Sequence, residues 1–284
     1  MTFGQSVLTT SDHSRDSGGM TYVYPVVSRR AGGVSVGINL NPNNACNWRC
    51  IYCQVPDLQR GGPPPIDLRW LESELDAMLD SIVIGDFLRQ HVSEGQRRLV
   101  DVAFSGNGEP TSAPEFPSAV ELAIRLLARR GLLPEVKLRL ITNGSLVDRA
   151  AVREGLRRMG MVDGEVWFKI DAADSVSVER INRVRLRMDS VERRLEISAR
   201  LCPTWVQTCL FVLDGELPTE MQLTRLTELL NRSRDYIRGV YLYGLARPSA
   251  QADSWRLQAA PVSWLEDVAR RMRNETGLTV EVSP

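Results

Sequence analysis

From residue 35 onward the chain repeats one pattern six times: a short apolar run ending in glycine, asparagine or aspartate, then a longer stretch with apolar residues at helical spacing. "LVDVAF" stops at the glycines of "SGNGEP", and Val120, Ala123, Ile124 and Leu127 then mark a helix face that ends at Gly131. The same reading gives strand "VKLRLIT" with a helix over 147–159, strand "EVWFKID" with a long helical stretch over 175–200, and strand "WVQTCLFVL" with Leu223, Leu226 and Leu230. Strand "GVYLYGLA", a helix with Leu265, Val268 and Met272, and a last strand "LTVEV" close the chain. Before the second strand, Leu71, Leu75, Met78 and Ile82 mark a first helix. Strand followed by helix, repeated, requires a parallel sheet covered by helices. Six units in about 250 residues fit an α/β fold of the partial (β/α)6 TIM-like barrel type, with a doubly wound open sheet as the alternative.

In parallel sheets of either kind ligand chemistry sits beyond the C-terminal strand ends. The unusual residues fall there: a cysteine loop after the first strand, "GNGEP" after the second, "TNG" after the third, "DAAD" after the fourth and "ARP" after the sixth. One site is therefore expected. Residues 21–284 read as one domain with its core over about 35–250, since no repeat, low-complexity tract or linker divides them. Residues 1–20 are polar and glycine-tipped and read as a disordered extension, without the apolar segment of a secretory signal. No run approaches the ~20 apolar residues of a membrane span. Thirty-five basic and thirty-five acidic residues cancel, which removes any global field toward nucleic acid or an anionic membrane and leaves only local arginine clusters such as Arg157-Arg158 or those at 270–273.

"ACNWRCIYC" sets Cys46, Cys50 and Cys53 at a C-x3-C-x2-C spacing, three of the five cysteines in the chain. An odd count with three thiols clustered argues against a disulfide framework and for a reducing, cytoplasmic compartment. A structural zinc wants four ligands. The remaining cysteines, Cys202 and Cys209, lie about 150 residues away and read as a loop thiol and a core thiol, and the histidines are His13 and His91. Cysteine thiolates at close spacing also hold iron–sulfur clusters, and three thiolates on a four-iron cubane leave one iron open for a substrate or cosubstrate. Zinc or buried free thiols are the bland alternative.

The C-x3-C-x2-C spacing with an aromatic, Tyr52, before the third cysteine resembles the signature of the radical S-adenosylmethionine (radical SAM) superfamily. The resemblance covers about residues 35–250 and implies that family's partial barrel. It implies that Cys46, Cys50 and Cys53 bind a [4Fe–4S] cluster whose open iron chelates S-adenosylmethionine. The reduced cluster would cleave that cofactor to methionine and a 5'-deoxyadenosyl radical, which takes hydrogen from the substrate. Gly106, Asn107, Gly108 and Glu109 resemble the family's GGE motif near the methionyl amino group, with Asn107 inserted among the glycines; a turn or helix-start residue beside Pro110 is the alternative for Glu109. Thr142 and Asn143 match the third strand end near the cofactor, Asp171 the fourth, and Tyr52 would lie near the adenine. A one-electron donor of flavodoxin or ferredoxin type is implied as partner.

Lys169 is a reading of the residues themselves. Lys169 and Asp171 are two apart on a strand and point to the same side. With 33 arginines and only one other lysine, Lys137, in the chain, an ammonium here is expected to pair with the cofactor carboxylate or to activate a substrate, or, with its pKa depressed by burial, to form a Schiff base. A lysine snorkelling from the strand, or paired with an acid, is the alternative. Arg247 could bind a carboxylate or phosphate, and solvated surface arginine is its alternative. "FSGNGEPT", "LITNGSL" and "IDAAD" with "ERINR" resemble the group related to the tRNA wyosine-base synthases, although no cysteine precedes Cys46 to hold a second cluster. The expected substrate is RNA or a nucleotide-like molecule. The alternatives are a peptide-modifying enzyme or glycyl-radical-enzyme activase, and a non-catalytic metal scaffold.

Overall fold

The computed structural model describes residues 8–9, 19–28 and 32–283. Its eight-stranded sheet runs, in chain order across the sheet, β1 (Val23–Ser28), β2 (Gly33–Ile38), β3 (Leu99–Phe104), β4 (Lys137–Thr142), β5 (Glu165–Lys169), β6 (Thr204–Cys209), β7 (Gly239–Tyr243) and β8 (Val280–Ser283). β1 pairs antiparallel with β2, and every later neighbour pairs parallel. Strand order that follows chain order, with a helix in each crossover, winds the sheet one way and curls it into a partial TIM-like barrel. The crossover helices are α1 (Leu68–Val83), α2 (Phe116–Arg129), α3 (Ala150–Met161), α4 (Ser175–Asn182), α5 (Met188–Leu201), α6 (Glu220–Ser233) and α7 (Val262–Thr276).

The strands carry a two-residue period. Val34, Val36 and Ile38, then Val102 and Phe104, Leu138 and Leu140, Val166 and Phe168, Val206, and Val240 and Leu242 are all buried in one cluster with the apolar stripes of the helices. Leu71, Leu75, Met78 and Ile82 of α1 belong to it. The intervening positions face the concave side, where Trp167 and Trp205 lie against Tyr241 at centroid distances of 4.8 and 4.6 Å. The Arg139 guanidinium sits 4.8 Å from the Trp167 ring and pairs with Glu165 at 3.0 Å and with Asp101. This layer floors the barrel one step below Lys169 and Gln207 on the same strands.

Three expectations change. β1 was not foreseen; it is held where it enters the sheet by Glu74, a buried carboxylate of α1 that accepts the N–H groups of Thr21 and Tyr22 at 2.6 and 2.7 Å. The long helical stretch over 175–200 is two helices, because Arg183 takes a left-handed φ of 56° and ends α4. "WVQTCLFVL" likewise breaks after Cys209 into β6 and a short strand, Phe211–Leu213. Cys202 does lie in the loop after α5, where it is buried with its Sγ 3.3 Å from the Gly164 carbonyl. Most of the expected extension over 1–20 lies outside the described residues; within it, the Leu8 N–H bonds the His91 carbonyl at 2.8 Å and Met20 is buried in the core. Among the described residues no helix is long and apolar enough to cross a membrane.

Candidate functional site

The loop after β2 is built on asparagines. Asn39 Oδ1 accepts the N–H groups of Asn41 at 3.0 Å and Asn107 at 3.1 Å, which ties this loop to the one after β3. Asn41 Nδ2 donates to the Ala45 carbonyl at 2.9 Å, immediately before Cys46. Short polar side chains that bond nearby backbone are suited to such non-repetitive turns. Further along, the Arg49 and Ile51 N–H groups bond the carbonyls of Asn182 and Ile181 at 3.2 and 2.9 Å, and Ser249 Oγ donates to the Ile51 carbonyl at 2.7 Å. The cysteines thus hang on a loop fastened from three directions.

Cys46, Cys50 and Cys53 carry free thiols and line one cavity of about 280 Å³. Burial pushes the Cys46 thiol up to about 12 and the Cys50 thiol to about 11, and the neighbouring Asp171 raises Cys50 further. Protonated thiols in this setting need a cationic metal to become thiolates. Tetrahedral zinc binds sulfur at about 2.3 Å, so thiols serving one ion crowd together. Among the described residues no three His, Cys, Asp or Glu side chains are arranged to hold a single ion. Three thiols lining one cavity are the donors that would hold an iron–sulfur cluster.

The loops after β3 and β4 meet at Glu109. This carboxylate is 2% exposed; Oε1 accepts the Thr111 hydroxyl at 2.5 Å and the Thr142 hydroxyl at 2.6 Å, and Oε2 accepts the Asn143 N–H at 2.7 Å. Burial raises its pKa, opposed by these bonds. Asn143 Nδ2 continues to Asn47 Oδ1 at 2.8 Å, so "GNGEP", "TNG" and the cysteine loop form one bonded unit. Gly106, Asn107, Gly108, Glu109, Thr142, Asn143 and Tyr52 all line the cavity, as does Arg247 from the loop after β7.

Asp171 reaches that cavity only through the groups it holds, since its side chain is 0% exposed. Oδ1 accepts the Cys209 N–H at 3.0 Å, and Oδ2 accepts the Tyr52 hydroxyl at 2.5 Å and Asn182 Nδ2 at 2.8 Å. Lys169 Nζ lies 3.4 Å from Oδ1, donates to the Tyr243 hydroxyl at 2.5 Å, and sits 4.7 and 5.2 Å from the Tyr52 and Tyr243 rings. Burial lowers the Lys169 pKa, but Asp171 and the surrounding Tyr243, Cys209 and Cys50 together outweigh it and hold the ammonium above the ordinary lysine value. The expectation of a depressed amine ready for Schiff-base chemistry is therefore reversed: this lysine is a cation in an aromatic and carboxylate cage.

Several wall residues went unread in the sequence. Gln207, paired across from Lys169 and 2% exposed, lines the cavity, and its Nε2 has no hydrogen-bond partner among the described residues. Tyr243 and Asn182 are likewise part of the assembly, and Cys209, read as a core thiol and buried, also lines the cavity. The one available signal was strand parity: Gln207 is an amide in a run otherwise made of apolar residues, cysteine and threonine, two before Cys209.

A family model described as "Radical SAM superfamily" matches residues 40–225. The UPF0026 protein MJ1312 of Methanocaldococcus jannaschii is 29% identical over 160 residues, 56% of this chain and 43% of that protein, so the chain spans less than half the length of this relative. Among solved structures, TYW1 with a lysine–pyruvate adduct bound is similar at TM-score 0.57 and 17% identity, over 84% of this chain and 73% of that one. A radical SAM methyltransferase from Sphaerobacter thermophilus is similar at TM-score 0.59 and 14% identity, over 92% of this chain and 68% of that one. At such identities the two structures speak for the fold.

Proposed function

Because the chain belongs to the radical SAM superfamily, we propose that Cys46, Cys50 and Cys53 hold a [4Fe–4S] cluster and that the enzyme acts on a nucleotide-like substrate or RNA. The observation that carries the reading is the convergence of three thiols, the Glu109-centred loops and the Lys169 ammonium on one cavity. When bound, cluster and S-adenosylmethionine supply a 5'-deoxyadenosyl radical able to take hydrogen from an unactivated carbon.

The protein's own groups have separable tasks. Backbone of the glycine loop at 106–108 lies open beside the thiols and suits close approach of the methionyl group, while Glu109 keeps the neighbouring strand ends in register. Tyr52 offers a ring face whose orientation is set by its bond to Asp171 and its packing on Phe211 at 5.5 Å. Deeper in the lumen Lys169, Gln207 and Tyr243 present donors to an acceptor-bearing substrate such as a nucleobase. The likeness of "FSGNGEPT" and "LITNGSL" to the wyosine-related group supports the same class, and Arg247 at the cavity wall suits a phosphate.

Anaerobic reconstitution should yield about four irons and four sulfides per chain. With a chemical reductant and S-adenosylmethionine, 5'-deoxyadenosine should form and should gain deuterium from labelled bulk tRNA or nucleotides. Transfer from labelled peptides alone would replace the substrate class, and zinc without sulfide would overturn the cluster. Lys169→Arg should lower product formation about tenfold or more, as loss of a buried charged hydrogen bond does. Unchanged cofactor cleavage and product would remove Lys169 from the proposal.

A further inference from the structure

Asn182 closes α4 and is 1% exposed. Its Nδ2 carries two hydrogens, and the structure gives each an acceptor: Asp171 Oδ2 at 2.8 Å and Cys50 Sγ at 3.3 Å. The amide cannot turn round without setting Oδ1 against the Asp171 carboxylate, so Asp171 keeps the N–H pointed at the sulfur. Asp171 is itself fixed by the Cys209 N–H and the Tyr52 hydroxyl.

The backbone repeats the grip. Arg183 leaves the helix in a left-handed turn, and the carbonyls at the end of α4, which have no helical partner, accept the N–H groups on either side of Cys50, from Arg49 and Ile51. Side chain and main chain of one helix terminus therefore hold the same cysteine.

Resting on the reading that Cys46, Cys50 and Cys53 hold a cluster, we propose that Asn182 is a positioning residue that tunes its reduction. An N–H donated to a thiolate draws charge off the sulfur and favours the more negative, reduced state, and hydrogen bonds to sulfur are a recognised lever on cluster potential. Asn182 sets how strong an electron donor the enzyme needs.

The test is a potentiometric titration of the reconstituted enzyme followed by electron paramagnetic resonance. Asn182→Ala, which keeps the backbone contacts, should load iron and fall in midpoint, so that the reduced-to-oxidised ratio at the wild-type midpoint drops about tenfold, or 59 mV for one electron. Asn182→Asp, which replaces the donor by a like charge, should fall further. A variant that loads fully with an unchanged midpoint overturns the tuning and leaves the cluster standing; a wild-type chain that assembles no cluster overturns the reading beneath it. If neither variant loads, the wild type decides: exchange into deuterium oxide shifts the iron–cysteine stretching bands in resonance Raman when an N–H reaches the sulfur, and absence of that shift overturns the proposal.

Discussion

Single positions around the cysteine loop leave no room for alternatives. A Cβ on Gly108 would stand 2.1 Å from the Ala45 carbonyl oxygen and 2.6 Å from Asn41 Cγ, the pair that shapes the chain just before Cys46. Gly144 has a φ of 70°, and a Cβ there would enter the Phe168 ring at 2.0 Å. Gly108→Ala should therefore cost about 1–3 kcal/mol and lower the iron bound per chain on reconstitution. Gly62→Ala, which meets nothing within 4 Å, serves as the control. Equal iron loading in the two variants would show that the loop can relax around the methyl group. At the same scale Lys169 shows that burial does not decide a pKa by itself: the carboxylate 3.4 Å away, with Tyr243, Cys209 and Cys50 beside it, outweighs desolvation.

At the scale of elements, stop and start signals differ in how local they are. α6 begins with a capping box in which Thr219 Oγ1 accepts the Gln222 N–H at 3.3 Å and Gln222 Oε1 accepts the Thr219 N–H at 2.8 Å. Gln222 Nε2 also donates to Ser177 Oγ of α4 at 2.9 Å, so the cap couples two crossover helices. Thr219→Ala should remove about 1 kcal/mol and lower the melting temperature by about 2 °C in a thermal scan. A melting temperature equal to wild type would show that the Gln222–Ser177 bond alone secures the helix start. The break between α4 and α5 has no such local signal. "INRVRLRM" contains neither glycine nor proline, and the left-handed turn is held from outside, by Arg60 donating to the Arg183 carbonyl at 2.7 Å and by Arg183 pairing with Asp253 at 2.7 Å. That turn frees the helix end that grips Cys50.

Over the whole molecule thirty-five acids and thirty-five bases cancel in number yet act locally. Asp214 accepts from Arg256 and Arg180, each at 2.7 Å, and these bonds hold its carboxyl well below the usual carboxylate range. A depressed folded pKa adds stability above the unfolded value of about 3.9 and loses it as pH falls toward the folded one. The melting-temperature gap between wild type and Asp214→Asn should thus be present at pH 7 and close as pH falls below about 4, and added salt should narrow it. A gap that stays constant with pH would assign the effect to packing. The period of apolar residues in the sequence determined the strand–helix units of a parallel α/β fold, and cysteine spacing pointed to the family, because both are patterns within one segment, whereas the strand order decided between barrel and open sheet. Which groups share the cavity was decided by the tertiary structure: Asn182 meets Cys50 across 132 positions and Lys169 meets Tyr243 across 74. Such pairings depend on strand register, where a shift of one residue turns every side chain to the other face, and no local pattern carries that information.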